Sequence, residues 1–351
     1  MNLKPRLEWL LISVPISLLL AGFYPQPILL FISAGLAIIP LAGLISQATE
    51  ELALRSSPRI SGLLGASFGN ITEIIIAVLL IRAGEIEVVK ASLIGSILGN
   101  LVLVLGASLF AGGLRFKEQR FSARSASAHA ASLLMAVTGL VLPTLFALSS
   151  TDTSGEREIV SIGVAAILIA LYGASLIFSL GTHQYLFRSS MEGEPSRWSV
   201  RRAVALLLLT ALAVGLESEL LVNSLAPTVA ALGVSRLFIG LFVVATVGNA
   251  AEHAAAVQFA IRNKLDLSME ISFGSSTQIA LLVAPALVIG SLVFGRPMDF
   301  IFSPLEVTAV ALATLITALL TTKGRSSWLE GLQLLGAYAI MAVSFFFVRE
   351  P

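Results

Sequence analysis

Eleven apolar runs follow one another along the chain, each about as long as a membrane span and bounded by Gly, Pro or charge. They lie near residues 8–23, 28–54, 60–81, 88–112, 127–147, 159–181, 203–223, 236–261, 269–294, 304–322 and 329–348. A helix needs about 20 mostly apolar residues to cross a bilayer. The pattern predicts an all-α polytopic membrane protein of about eleven transmembrane helices. In the third run, Gly62, Gly65 and Gly69 form a ridge of small residues on which a neighbouring helix can pack closely. The first run follows Lys4 and Arg6, as a signal peptide would, but lacks a small-x-small cleavage site and reads as a retained leading helix.

Composition agrees with a lipid solvent. Of 351 residues, 56% are hydrophobic and 12% charged, and the mean hydropathy is +0.93. Soluble domains carry about 25% charged residues, roughly twice this share. Eleven spans and short loops leave no length for a sizeable soluble domain. A net charge of +1 speaks against nucleic-acid binding, which needs a concentrated basic face. The absence of cysteine excludes disulfides, thiolate metal sites and cysteine nucleophiles.

The basic residues suggest an orientation. With the N-terminus in the cytoplasm and the C-terminus outside, 16 of the 22 Lys and Arg fall in inner segments. No outer segment holds more than two, as the positive-inside rule expects. The membrane expected is the cytoplasmic (inner) one.

A repeat is hidden in the runs. Ala66 to Glu73 reads ASFGNITE and Ala245 to Glu252 reads ATVGNAAE, at an offset of 179 residues. The same offset carries Gly95-Ser96 onto Gly274-Ser275. Five spans separate the copies, an odd number, so the two segments cross the membrane in opposite directions. Inverted repeats of this kind belong to secondary transporters, whose ion site lies near the midplane. The chain divides into a leading helix (1–25), a first five-helix repeat (26–182), a cytoplasmic connecting loop (183–202) and an inverted second repeat (203–351).

Glu73 and Glu252 each interrupt an otherwise apolar stretch. An ionised side chain there costs at least about 2.5–3.5 kcal/mol on insertion scales, so intramembrane acids point to function. Spacing of i, i+3 sets Ser67, Asn70 and Glu73 on one helix face, and Thr246, Asn249 and Glu252 on its counterpart. Two antiparallel helices crossing there would assemble carboxylates, amide oxygens and hydroxyls, a hard-oxygen cage suited to Ca²⁺. Ser96 and Asn100 on the fourth span, with Ser275 and Gln278 on the ninth, either complete that coordination or bond the helices together. Gly95 and Gly274 beside them would allow close approach or a local helix break.

His253 follows Glu252 directly, so it faces about 100° away and suits proton handling rather than a shared metal. Glu50 and Glu51 near the inner end of the second span, and Glu217 and Glu219 towards the outer end of the seventh, are candidate pathway mouths. No enzyme constellation or cofactor fingerprint emerges.

These residues resemble the calcium/proton exchanger family of the calcium/cation antiporter superfamily. The resemblance rests on Ala48-Thr49-Glu50-Glu51, Phe68-Gly69-Asn70-Ile71-Thr72-Glu73 and Gly248-Asn249-Ala250-Ala251-Glu252-His253. Gly95-Ser96 through Asn100 and Gly274-Ser275-Ser276-Thr277-Gln278 add to it, and it covers roughly residues 40–350. It implies an extra first helix before two inverted five-helix repeats, with the cation glutamates at Glu73 and Glu252. It also implies Ca²⁺ and H⁺ as transported partners and no cofactor. Family members often carry a strongly acidic segment between the repeats, whereas residues 182–202 offer only Glu192 and Glu194 among four arginines.

The function expected is Ca²⁺/H⁺ exchange by alternating access. Exchange of Na⁺ or Mn²⁺, a cation channel and an intramembrane enzyme are the alternatives, and a homo-oligomer is left open.

Overall fold

The computed structural model describes residues 7–56, 60, 64–65, 68–149, 154–182 and 197–348. Gly62 and Ser67 of the third span, and Glu192 and Glu194 of the connecting loop, lie outside the described residues.

Among the described residues the chain is all-α and polytopic, with eleven helices in sequence. They are α1 (Ser13–Phe23, after a 3-10 turn from Leu7), α2 (Pro27–Ala53), α3 (Ile71–Ala83), α4 (Ile86–Phe116) and α5 (Ala123–Ser149). The rest are α6 (Ser154–Ile177), α7 (Val200–Leu232), α8 (Arg236–Ile261), α9 (Leu265–Val293), α10 (Pro304–Thr321) and α11 (Trp328–Phe346). Nine of these, counted over the described residues, are long and apolar enough to cross a membrane.

Local chemistry sets several ends. Pro27 and Pro304 open α2 and α10, where a missing N–H costs nothing. Ser303 and Glu306 cap α10 reciprocally. Helix α7 stops at Gly233, whose φ of +65° suits a residue without Cβ.

Two departures from the sequence pattern matter. Helix α7 runs to Leu232, nine residues past the predicted end, because Asn223 to Pro227 does not break it. Ser224 Oγ bonds the carbonyls of Leu220 and Leu221 inside the turn that precedes the proline. A short antiparallel ribbon, β1 (Glu118–Arg120) with β2 (Arg325–Ser327), joins the α4–α5 and α10–α11 connections.

Contacts between connections sort the two ends of the bundle. On the ribbon face, Gln119 reaches Ala260 O and Asn263 between α8 and α9, and Ser122 N–H donates to Asp266 at 2.7 Å. On the far face, Glu85 after α3 pairs with Arg236 at the start of α8, and Lys90 pairs with Asp299 between α9 and α10. Helices α3 and α8 are therefore antiparallel. Helices α2 and α7 also pair antiparallel: Leu41, Ile45 and Ala48 cluster with Val214 and Leu207, while Gly35 faces Leu221. Large apolar side chains stay exposed outside this core, among them Leu208, Leu212, Ile340 and Val343, as lipid contact requires.

Candidate ion-binding site

The two Gly-Asn-x-x-Glu segments meet in the centre of the bundle, but their helices differ. In the second repeat, Asn249, Glu252 and His253 ride on continuous α8. In the first, the chain turns at Gly69-Asn70 and α3 starts only at Ile71. The expected single face through Ser67, Asn70 and Glu73 is thus broken at Asn70, and Glu73 sits in the first turn of α3. A helix start presents free N–H groups and the positive end of its dipole to nearby anions.

The inverted repeat holds at the level of single hydrogen bonds. Asn249 Nδ2 donates to Ser96 Oγ at 2.9 Å, and Ser275 Oγ donates to Asn70 Oδ1 at 3.2 Å. Adding 179 to Asn70 and Ser96 gives Asn249 and Ser275, so the two bonds are repeat equivalents. Helices α4 and α9 also widen at matched positions, into π turns over Gly99–Val104 and Ile279–Val283. Such turns recur at functional sites. They follow Gly95 and Gly274 by a turn, so neither glycine breaks its helix.

Further bonds complete a network without symmetry mates. Asn70 Nδ2 donates to Gln278 Oε1 at 2.7 Å, and Asn100 Nδ2 donates to Ser275 Oγ at 3.0 Å. His253 Nε2 lies 3.1 Å from Asn100 Oδ1. That oxygen can only accept, which puts the ring proton on Nε2. All four candidates Ser96, Asn100, Ser275 and Gln278 therefore join the network, and His253 enters through Asn100.

The glutamates stand apart from this saturation. Their carboxyl groups lie within each other's electrostatic reach, and that of Glu252 lies close to the Ser275 hydroxyl. Oε1 of Glu73, Oε2 of Glu252 and Oδ1 of Asn249 are buried without a hydrogen-bond partner. Unpaired buried oxygens are costly, and carboxylate and amide oxygens are the hard donors that a cation such as Ca²⁺ takes. Gly248 makes room for it: a Cβ there would stand 3.1 Å from Glu73 Cγ.

On the far side of Glu73 the helices close tightly. A Cβ on Gly95 would fall 2.7 Å from Leu241 C and Cα, and one on Gly240 would fall 2.7 Å from Ala91 Cβ. A small cavity lies there, lined by Glu73, Ala77, Ser92, Ser96 and Ala245. Among the described residues no atom lies within 4 Å of a Cβ built on Gly274, the repeat mate of Gly95. Sequence reading noted Gly95 but not its partners, since Leu241 and Gly240 carry no polar signal.

The predicted pathway mouths fare differently. Glu50 is exposed at the ribbon end of α2. Glu51 is buried and accepts the N–H groups of Arg197 and Trp198 at 2.8 and 3.0 Å, which anchors the chain entering α7. Because α7 is longer than predicted, Glu217 and Glu219 move from its outer end to its middle. Glu217 is buried against α1 and lines no mouth, and Glu219 is exposed on another face of α7.

Residues 26–181 and 202–347 match the family described as sodium/calcium exchanger protein. The chain is 42% identical to a Ca²⁺/H⁺ antiporter of Aphanothece halophytica, covering 96% of this chain and 95% of that one. It is 39% identical to the Ca²⁺/H⁺ antiporter ChaA of Bacillus subtilis, covering 97% and 99%. The solved structure of native YfkE superposes with a TM-score of 0.87 at 37% identity, over 98% of this chain and 100% of that one. The H⁺/Ca²⁺ exchanger CAX shares the fold, with a TM-score of 0.74 at 17% identity over 97% and 91%. The chain belongs to the sodium/calcium exchanger family of integral membrane transporters and, within it, groups with the calcium/proton exchangers.

Proposed function

We propose that the protein exchanges Ca²⁺ for H⁺ across a membrane, with Glu73 and Glu252 as the shared carboxylates. The carrying observation is that one glutamate from each half of the chain reaches a common buried centre with an oxygen unpaired. The names of its relatives point to the same cargo. The division into residues 1–25, 26–182, 183–202 and 203–351 is part of this reading, with the ribbon face cytoplasmic and the membrane the inner one.

Charge supplies the coupling. Burial and mutual repulsion both penalise an empty, doubly ionised pair. Protons neutralise it, and so does Ca²⁺, whose binding expels them. Either loaded state can be enclosed in a dry constriction, whereas the empty ionised state resists enclosure.

Ser275 links the two states, because its hydroxyl has one hydrogen. When Glu252 is protonated it donates to Ser275 Oγ, and Ser275 donates to Asn70 Oδ1. When Glu252 is ionised it draws that hydrogen to itself and releases Asn70 Oδ1. Deprotonation thereby frees an amide oxygen for the metal as it creates the carboxylate. Asn249 Oδ1 is already free. Asn100 and His253 hold Ser275 in position, and Gln278 holds Asn70. The closed seam at Gly95 and Gly240 supports alternating access, with this conformation sealed on the far face.

The test is uptake of radioactive Ca²⁺ into proteoliposomes under an imposed pH gradient, with and without Na⁺. Gradient-driven uptake that ignores Na⁺ and is lost in Glu73→Gln and Glu252→Gln is the expected result. Normal exchange in either variant would refute the assignment of the carboxylates, and uptake driven only by Na⁺ would refute proton coupling.

A further inference from the structure

One buried carboxyl takes no part in the cage. Glu217 projects from the middle of α7 towards α1, 1% exposed, and its Oε1 lies 2.8 Å from Ser17 Oγ, itself fully buried. Ser17 Oγ also lies 2.8 Å from the carbonyl oxygen of Val14, one turn earlier in the leading helix. A serine hydroxyl carries one hydrogen, so serving both acceptors would leave each with only a share of it.

A proton on Glu217 satisfies both contacts. The carboxyl O–H donates to Ser17 Oγ, and the Ser17 hydroxyl donates to Val14 O. The other oxygen, Oε2, is buried and has no partner. An ionised carboxylate would leave part of its charge bare there, which costs far more than an unpaired neutral carbonyl.

Among the described residues no counter-ion changes this balance. Helix α1 carries no charged residue, and α2 has only Glu50 and Glu51, both at its ribbon end. Helix α3 brings Glu73 and Arg82, and α7 itself brings Arg201 and Arg202 in its first turn and Glu219 on an exposed face. None of them acts on Glu217; its surroundings are burial and the Ser17 hydroxyl.

We propose that Glu217 is a third proton-binding carboxyl, separate from the two-glutamate cage, which ties the leading helix to α7 through Ser17. Its proton stays in place when Ca²⁺ fills the cage. The protein therefore holds one buried proton that is not part of the exchanged set.

Infrared difference spectroscopy of the full chain in lipid at neutral pH tests this, and it needs no transport. With saturating Ca²⁺, wild type should retain a neutral-acid carbonyl band that Glu217→Gln removes. Glutamine keeps a donor for Ser17 Oγ, so the helix contact survives in that variant. Ser17→Ala removes the acceptor and should move the same band to higher frequency. If Glu217→Gln removes carboxylate bands instead, the residue is ionised and the proposal fails. It fails too if Ca²⁺ addition abolishes the band, for the proton would then belong to the exchanged set. A Glu217→Gln protein that does not fold leaves the Ser17→Ala shift as the deciding measurement, and an unmoved acid band overturns the proposal. Failure of Ca²⁺/H⁺ exchange in vesicles would leave this reading intact.

Discussion

Gly95→Ala is the smallest change that strikes the far seam. The added methyl would lie 2.7 Å from Leu241 C and Cα and nearer still to its carbonyl oxygen. These are backbone atoms, so no rotamer relieves the clash. Helices α4 and α8 must part by about 0.7 Å to restore 3.4 Å to the two carbons, and further for the oxygen. Overpacking of this kind costs about 1–3 kcal/mol, which lowers the population of the closed seam by about 5- to 150-fold.

Because the chain has no cysteine, a single Ser92→Cys reports on the seam: Ser92 lines the small cavity behind it. An impermeant maleimide applied from the far face should label Ser92→Cys faster in the Gly95→Ala background, by a factor within that range. If Gly95→Ala alters neither labelling nor exchange, the seam is not a gate.

Asn100→Ala should weaken Ca²⁺ binding roughly 10-fold or more. It strips partners from Ser275 and His253, and each orphaned buried group costs about 1–3 kcal/mol; equilibrium Ca²⁺ titration would measure it. Because protons compete with Ca²⁺ for the same carboxylates, apparent affinity should fall as pH falls. The slope of log affinity against pH should exceed one in wild type and drop to at most one in Glu252→Gln, as read by titrations across pH. Glu51→Ala should lower the thermal midpoint while sparing Ca²⁺ affinity, since charge-assisted bonds to two backbone N–H groups are lost, each worth about 1.5–3 kcal/mol.

Much of the architecture was legible because lipid leaves few options. Apolar length marked the helices, and the match of Asn70 to Asn249 and Ser96 to Ser275 marked the repeat. Those four residues then paired across the repeats. What escaped was whatever local pattern does not encode. Asn223 to Pro227 looks like a helix end, yet α7 continues through it to Leu232. Glu217 was consequently set at the wrong depth. The break at Asn70 was hidden because its counterpart Asn249 lies in unbroken helix.

The ribbon between β1 and β2 has a mechanical corollary. It splices the link after α4 to the link after α10, which are not counterparts under the 179-residue offset. Duplication thus produced a molecule whose two ends are braced differently. One end carries a cross-strap between its halves, while salt bridges such as Glu85 with Arg236 join them at the other. The forward and return strokes of such a machine work against unequal stiffness, so their rates have no reason to match even with identical solutions on both sides.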